Sequence, residues 1–547
     1  MAWEEGMMGK PPAASTATVV ADYLVRSGTR YVFAYPGDPT IEMMERFRDR
    51  DIDVVLARRE GTAAFMAEAY AMATGETGVC VSTLGPGSTA LVNGVACATL
   101  DRVPMVAISG QIESSREQFF THQVVDHGRL YAPVTKWAGR LEPGSVGTVM
   151  RKALRTATAE RPGAVHLTAT ADATTSEARD ALVRMPPREP AASTIDVITT
   201  ERGADPAALL RSARRPVLLA GIGAVRGGAT GGLVALAERA GVPVVVSPMA
   251  KGVFPEDHPY FAGVLDMACN ALLWRFLGES DLIVAAGFDA VELIKPWSVA
   301  TPVLHVDSTP NTDQVYAADV EVVGDIGAAL RWLAEDWTGQ PRRTEAEVSA
   351  YRAELRAAYY HGRTDGALNP TDVVDEVAAA APEGAVAVSD VGSHKLLVGQ
   401  GWRTREPRGC LMTNGLSAMG LGVPGTIAAK LARPDRAVIG MVGDGGFAMT
   451  ATELRLASAL GLGIAVVVFV DGSLNRIELK QRAQRYASTA TRLEYTNLVT
   501  LAESMECDGV RVDSPSALGK ALVGLDALSR PLVVEAHVDP AQYESQF

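Results

Sequence analysis

Cysteine is scarce in this 547-residue chain, and nothing in its placement suggests a metal site or a disulfide framework. The five cysteines, Cys80, Cys97, Cys269, Cys410 and Cys507, are scattered, and no two show metal-ligand spacing. They read as reduced, mostly buried thiols. No apolar run reaches the ~18 uninterrupted residues of a membrane span. Basic residues are outnumbered, 51 against 64 acidic, for a net charge of -13. Such a balance is unsuited to nucleic acid or an anionic membrane, and no local basic patch offsets it. The opening MAWEEGMMGKPPAAS lacks the basic end and apolar stretch of a secretory signal. A cytoplasmic protein that binds neither nucleic acid nor membrane is expected.

What is present is α/β alternation. Short β-branched runs (YVFAYP, DVVLA, GVCVST, VPMVAIS) lie between Ala- and Leu-rich helical segments such as PTIEMMERFRD and EGTAAFMAEAYAMAT. This is the pattern of parallel sheets covered on both faces. A polar, Pro-containing stretch, VRMPPREPAASTIDVITTERGAD, reads as a linker. A second unit holds RPVLLAGIGAVRGG, GVPVVVSP, DLIVAAG and TPVLHVDS. Another polar stretch, from about Thr338 to Asn369, precedes a third unit with VAVSDVG, AVIGMVGDG, IAVVVFVD and PLVVEAHV. With 47% hydrophobic residues and a length beyond one core, the chain reads as three consecutive α/β domains with mostly parallel sheets, at 1–170, 195–336 and 366–547.

One stretch bears directly on chemistry: GDGGFAMTATELRLASALGLGIAVVVFVDGSLNRIELKQ, from Gly443. Gly443, Gly445 and Gly446 surround Asp444 just beyond an apolar strand, where glycine permits tight turns and close ligand approach. A helix starting there exposes backbone N–H groups to phosphate. An aspartate beside phosphate needs a cation between them, and magnesium is the hard, oxygen-seeking choice. The next strand delivers Asp471 to the same end of the sheet, the usual ligand end. The intervening helix is thus a crossover between two metal ligands. The glycines form neither a GxGxxG fingerprint nor a P-loop, since no GK[ST] follows.

These motifs and their order resemble the thiamine-diphosphate enzymes of the acetolactate synthase and 2-oxoacid decarboxylase superfamily, over nearly all of residues 15 to 545. The resemblance implies a pyrimidine-binding domain, a central domain and a domain for diphosphate and Mg²⁺. It makes Asp444 and Asp471 side-chain metal ligands, with the Ser473 carbonyl a third. The family's usual NN is replaced by Val470 and Asp471, an acid serving as oxygen donor in place of the second asparagine. SDVGSHKL is similar to the segment around the diphosphate, implicating Val391, Gly392, Ser393 and His394. TNGLSAMGLGVPGTIAAK resembles the loop beneath the cofactor, with Ser417 and Met419 at the aminopyrimidine and Met419 propping the two rings into a bent shape.

In the first unit, Glu60 stands at a helix start after an apolar strand, where a first-turn acid is common. By resemblance it is the glutamate that protonates N1′ of the pyrimidine, the proton transfer on which activation at C2 depends. YPGDP places Pro36 and Asp38 in a turn near the cofactor. STLGPGSTALVNG resembles a family loop, with Ala90 where an asparagine is common. FFTHQVVDHG supplies His122 and Gln123; Gln123 matches the glutamine that acetolactate synthases hold near the reacting carbonyl. In the family, one cofactor spans two chains, which implies a homodimer or homotetramer with sites at the dimer interface.

Asp38 also occurs in 2-oxoacid decarboxylases, paired there with adjacent histidines; here it is expected to pair with His122 as a proton-handling couple. The second histidine is Gln123 instead, a combination similar to carboxyethylarginine synthase. AAGFDAVELIKPW resembles flavin-independent acetolactate synthases, so FAD is not expected, and AGIGAVRGG reads as a strand-to-helix turn. After Asp471, a helix carries Arg476, Ile477 and Lys480 where the family sorts substrates. Arg476 and Lys480 share a face suited to a second, anionic substrate. Glu478 is one place off the decarboxylases' catalytic glutamate, an offset expected to turn it from the cofactor. The function implied is decarboxylation of a 2-oxoacid, pyruvate first, with transfer of the activated aldehyde to an acceptor carbonyl. Alternatives are aldehyde release, acyloin cleavage, or a catalytically silent regulatory or scaffold homologue.

Overall fold

The computed structural model describes residues 14–181, 183–185, 195–199 and 204–546. The chain divides into two compact units, one of residues 1–67 and 76–188, the other of residues 68–75 and 189–547. Three sheets form three consecutive α/β domains.

The first unit holds β1 (Tyr31–Tyr35), β2 (Asp53–Leu56), β3 (Gly78–Ser82), β4 (Met105–Gln111), β5 (Trp137–Arg140) and β6 (Ala164–Thr170). They lie in the order β2-β1-β3-β4-β6-β5, all parallel. Strands β3, β4 and β6 are buried along their whole length, as apolar runs covered on both faces should be.

In the second unit, β7 (Asp196–Thr199), β8 (Pro216–Ala220), β9 (Val244–Val246), β10 (Phe261–Val264), β11 (Leu282–Ala286), β12 (Val303–Asp307) and β13 (Val320–Val323) form the central sheet. Its order is β10-β9-β8-β11-β12-β13-β7, with β7 antiparallel at the edge. The third sheet contains β14 (Val386–Ser389), β15 (Cys410–Met412), β16 (Val438–Gly443), β17 (Ala465–Val470), β18 (Asp508–Val512) and β19 (Leu532–His537), in the parallel order β15-β14-β16-β17-β19-β18. One continuous core from Ala207 to Tyr543 serves both of these sheets.

Three expectations change. In the stretch read as a linker, residues 186–194 and 200–203 lie outside the described residues, but Asp196–Thr199 is a strand, its β-branched Val197, Ile198 and Thr199 pairing with β13. The polar stretch before the third unit contains the helix Glu345–Tyr359, started by a Thr344–Glu347 capping box and burying Val348, Leu355 and Tyr359. The crossover after Asp444 is not one helix but three short pieces, Asp444–Thr450, Ala451–Glu453 and Leu454–Ala459, broken where Thr450 leaves helical geometry at φ -138°, ψ 8°. The AGIGAVRGG segment does turn from β8 into a short helix, Ile222–Arg226. Among the described residues, no helix is long and apolar enough to cross a membrane.

Candidate active site

Ligands of parallel sheets gather where the strand order reverses, beyond the carboxyl ends of the strands. In the first sheet that point lies between β1 and β3. The turn after β1, containing Pro36 and Asp38, meets the loop after β3 so closely that a Cβ on Gly37 would sit 2.0 Å from Thr83 Oγ1. Gly85 adopts φ +38°, and a side chain there would meet the Gln123 carbonyl at 2.4 Å. Glu60 begins the helix Glu60–Thr74, and its Oε1 would lie 2.9 Å from a Cβ on Gly87. Pro36, Glu60 and Gln123 are therefore brought to one cluster of loops. Asp38, His122 and Gln123 are exposed. The expected Asp38–His122 couple is not formed: among the described residues no hydrogen bond or ion pair joins them, and His122 instead meets Phe120 edge-on at 6.4 Å between ring centroids.

In the third sheet the order reverses between β14 and β16. Asp390 follows β14 and Asp444 follows β16. Strands β16 and β17 are parallel neighbours, so Asp471 emerges beside Asp444. The Asp444 carboxylate accepts hydrogen bonds from the backbone N–H groups of Gly445 (2.8 Å), Gly472 (2.8 Å) and Asp471 (3.2 Å). Asp471 accepts from the Ser473 N–H at 2.9 Å. Burial raises the Asp444 carboxyl above its ordinary range. Burial, and then the adjacent Asp444 charge, push Asp471 up to about 7. Two half-buried carboxylates held together destabilise each other's charge, and a hard divalent cation between them removes that cost.

The remaining residues of this half converge on the same end. Met419 reaches Gly445, since a Cβ there would meet Met419 Cε at 3.4 Å and Leu474 Cδ2 at 3.0 Å. Ser417 is held at φ +52°, with its hydroxyl donating to the Asn414 carbonyl at 2.8 Å. The helix Ser393–Gly401 starts after Gly392, and the Ser393 hydroxyl donates to Asn475 Oδ1 at 2.8 Å. His394 lies against Gly392 and Gly443 and stacks on Phe469 with ring centroids 5.2 Å apart. Burial holds it neutral, down at about 3. Its Nε2 is a buried nitrogen without a hydrogen-bond partner among the described residues. Paired carboxylates, glycine turns at a helix start and an unpartnered buried imidazole nitrogen fit a diphosphate and its cation.

Arg476, Ile477 and Lys480 lie on the helix Asn475–Ala483. Arg476 and Lys480 line a cavity of about 790 Å³ with Asp266, Lys295 and Glu544. Burial lowers the pKa of the Arg476 guanidinium. Ile477 is 49% exposed.

Of two further acids, Asp390 carries no signal in the spacing, whereas Glu478 is the one expected to turn from the cofactor. Asp390 is fully buried and accepts from the N–H groups of Val391 (2.7 Å), Gly420 (3.0 Å) and Gly422 (3.2 Å). Burial raises it to about 6. It joins the SDVGSH turn to the SAMGLG loop, and a Cβ on Gly446 would approach its Oδ2 to 2.6 Å. Glu478 is buried and turned into hydrogen bonds with Ser473, Arg482, Ser488 and Arg492. The Ser473 hydroxyl, followed by its other donors, holds the Glu478 carboxyl at about 2.

Three family models match this chain: the thiamine pyrophosphate enzyme N-terminal TPP-binding domain at residues 14–130, the central domain at 204–333 and the C-terminal TPP-binding domain at 390–536. A probable acetolactate synthase large subunit of Methanocaldococcus jannaschii is 30% identical over 96% of this chain and 92% of its own length. An acetolactate synthase of Bacillus subtilis is 27% identical over 96% and 93%, and one of Mycobacterium bovis 32% identical over 91% and 83%. The chain belongs to the thiamine-diphosphate enzymes, in their acetolactate-synthase-like branch. It is an enzyme with the decarboxylation and carboligase or lyase chemistry of that branch, and its domains imply thiamine diphosphate and Mg²⁺ as cofactors.

Proposed function

We propose that this enzyme decarboxylates a 2-oxoacid, pyruvate first, and joins the activated aldehyde to a second carbonyl compound. The cofactor supplies the electron sink for decarboxylation. The chain's own residues do the rest. Asp444, Asp471 and the Ser473 carbonyl hold Mg²⁺, while Val391, Gly392, Ser393, His394, Gly445 and Gly446 surround the diphosphate. Ser417 and Met419 orient the aminopyrimidine, and Pro36 borders it. Glu60 shares a proton with its N1′, and Gln123 faces the reacting carbonyl. Asp38 and His122 act as separate polar groups of the site, one on the turn after β1 and one on the loop with Gln123, not as a closed proton couple. Arg476 and Lys480 attract an anionic acceptor, and Ile477 sorts it by shape.

The observation that carries a carboligase over a simple decarboxylase is the state of Asp38 and His122. They are not hydrogen-bonded to one another, and Gln123, packed by its carbonyl against Gly85, takes the place of a second imidazole. Aldehyde release and acyloin cleavage are the competing outcomes within the class; a silent homologue is the competing outcome outside it.

Glu60 and Asp444 belong to different compact units. We place the complete site at the interface of a homodimer or homotetramer, with domains at 1–170, 195–336 and 366–547, in a cytoplasmic enzyme without FAD. The test is mass-resolved product analysis with Mg²⁺, thiamine diphosphate and a panel of 2-oxoacids, with and without carbonyl acceptors. Acetolactate or another condensed product is expected. Free aldehyde alone would replace the proposal with a decarboxylase. No product, in a sample that binds cofactor, would leave acyloin cleavage or the silent homologue.

A further inference from the structure

The donor set around Glu478 is the densest convergence on one buried side chain near the metal turn. The side chain is only 2% exposed. Its carboxylate accepts from the Ser473 hydroxyl, from Arg492 Nη2 at 2.5 Å, from Ser488 Oγ at 2.8 Å and from Arg482 Nη2 at 3.2 Å. These donors come from three places: the turn after β17, the helix Asn475–Ala483 and the segment 484–493 that follows it, exposed from 484 to 490. Backbone pairing runs alongside. The Leu474 N–H donates to the Thr491 carbonyl at 2.7 Å, and the Leu493 N–H donates to the Gly472 carbonyl at 2.9 Å. Ser473 and Arg492 form an antiparallel bridge between them.

A buried carboxylate is tolerated only when its lone pairs are occupied, and charge-assisted donors are the strong ones. Here one carboxylate fixes Ser473 by its hydroxyl while Asp471 fixes the same residue by its N–H at 2.9 Å. The conformation of the turn 471–474 is therefore set from both sides. Glu478 also directly follows Arg476 and Ile477 in sequence, so the clamp that shapes the metal turn holds the same helical turn that presents those two side chains. With its oxygens committed to four donors, the carboxylate is a structural acceptor rather than a proton donor to substrate.

We infer that Glu478 is a positioning residue. Together with Arg492 and Ser488, it locks the turn carrying Asp471 and Ser473 into the shape that binds Mg²⁺, and it couples that turn to the helix bearing Arg476 and Ile477. This rests on the proposed metal role of Asp471 and Ser473. Arg492 is 64% exposed and has no assigned contact with metal or substrate, yet its removal acts on metal affinity through Glu478. Partners that orient metal ligands typically contribute about 10–100-fold in metal affinity.

The experiment uses the full chain stripped of cofactor. Mg²⁺ is titrated at saturating thiamine diphosphate, followed by calorimetry and by tryptophan fluorescence, in wild type, D444A, E478Q, R492M and E478Q/R492M. Thermal stability is recorded for each. The expected result is a Mg²⁺ Kd raised about tenfold in both E478Q and R492M. The double variant should be no weaker than E478Q, because both changes open the same clamp. If E478Q does not fold, R492M carries the test, since it removes one exposed donor only. Wild-type Mg²⁺ affinity in E478Q and R492M, with or without a lowered Tm, overturns the inference while D444A still reports the metal site. Failure of wild type itself to show Mg²⁺-dependent cofactor binding overturns the functional reading and this inference with it.

Discussion

Gly87 is the position from which the placement of Glu60 can be perturbed without touching its chemistry. It lies in the first turn of the helix Pro86–Leu100 and is buried. A Cβ added there would sit 2.9 Å from Glu60 Oε1 and 2.7 Å from Thr83 Cγ2. Carbon atoms pack best at ~3.5–4.0 Å, so the new methyl lands about 0.8 Å too close to Thr83. Glu60 presents the end of a flexible side chain and yields first. The two stability terms nearly offset: alanine gains about 1 kcal/mol over glycine in a helix, and overpacking costs about 1–3 kcal/mol. Catalysis has no such compensation: Glu60 Oε1 must retreat about 0.5 Å to reach an ordinary contact of 3.4 Å, and displacing a reacting group by ~1 Å costs on the order of 10²-fold, so about tenfold or more is expected. Gly87→Ala should therefore lower kcat about 10–100-fold at saturating cofactor with a Tm shift of only a few degrees. The assay is steady-state turnover in parallel with calorimetric melting and cofactor titration. A kcat within about twofold of wild type, with cofactor bound, would refute either the contact or the role of Glu60.

Three other outcomes are expected. Glu60→Gln keeps the shape of the side chain but removes the proton, so turnover should fall by at least ~100-fold with folding intact; wild-type turnover would remove Glu60 from the reaction. Arg476→Ala should raise KM about tenfold for anionic acceptors and leave neutral acceptors unchanged, and equal effects on both would count against an anion contact in the 790 Å³ cavity. His394 is held at about 3 by burial, whereas the unfolded chain protonates it near 6.5. Stability is thus unaffected above about pH 6.5 and is lost as pH falls below it, by about 2 kcal/mol at pH 5. His394→Gln removes this term, so its Tm should fall less than that of wild type between pH 7.5 and pH 5 in the cofactor-free chain, and parallel melting curves would disprove a neutral buried imidazole.

The parts of the site legible in the sequence were local ones. A strand, a glycine turn, an acid, a crossover and a second strand ending in an acid all follow one another between Val438 and Asp471, and parallel pairing of β16 with β17 needs no partner from elsewhere. Helix beginnings were legible where the acid is also the first residue, as at Glu60. What escaped was set by partners distant in the chain. The three donors to Asp390 include two N–H groups from about thirty residues further on, so nothing beside Asp390 marks it. The helix Glu345–Tyr359 was concealed by its charged face, although TEAE at Thr344–Glu347 is a capping signal visible in the sequence. The edge strand Asp196–Thr199 has β-branched residues but is short and is completed by pairing with β13, far along the chain.

Residue types alone point to an Asp38–His122 couple that the structure does not form. Asp and His act together in decarboxylases, but a hydrogen bond needs geometry as well as chemistry. Gln123 sits at φ +59°, and its carbonyl faces Gly85. The Gln123 backbone thus packs close against Gly85, and His122, the residue before it, is exposed and lies against Phe120. Where a decarboxylase pair has its second histidine this chain has Gln123, and His122 is not hydrogen-bonded to Asp38 among the described residues; under the proposed function, a loop without a closed proton couple suits capture of the activated aldehyde by a carbonyl better than its rapid protonation.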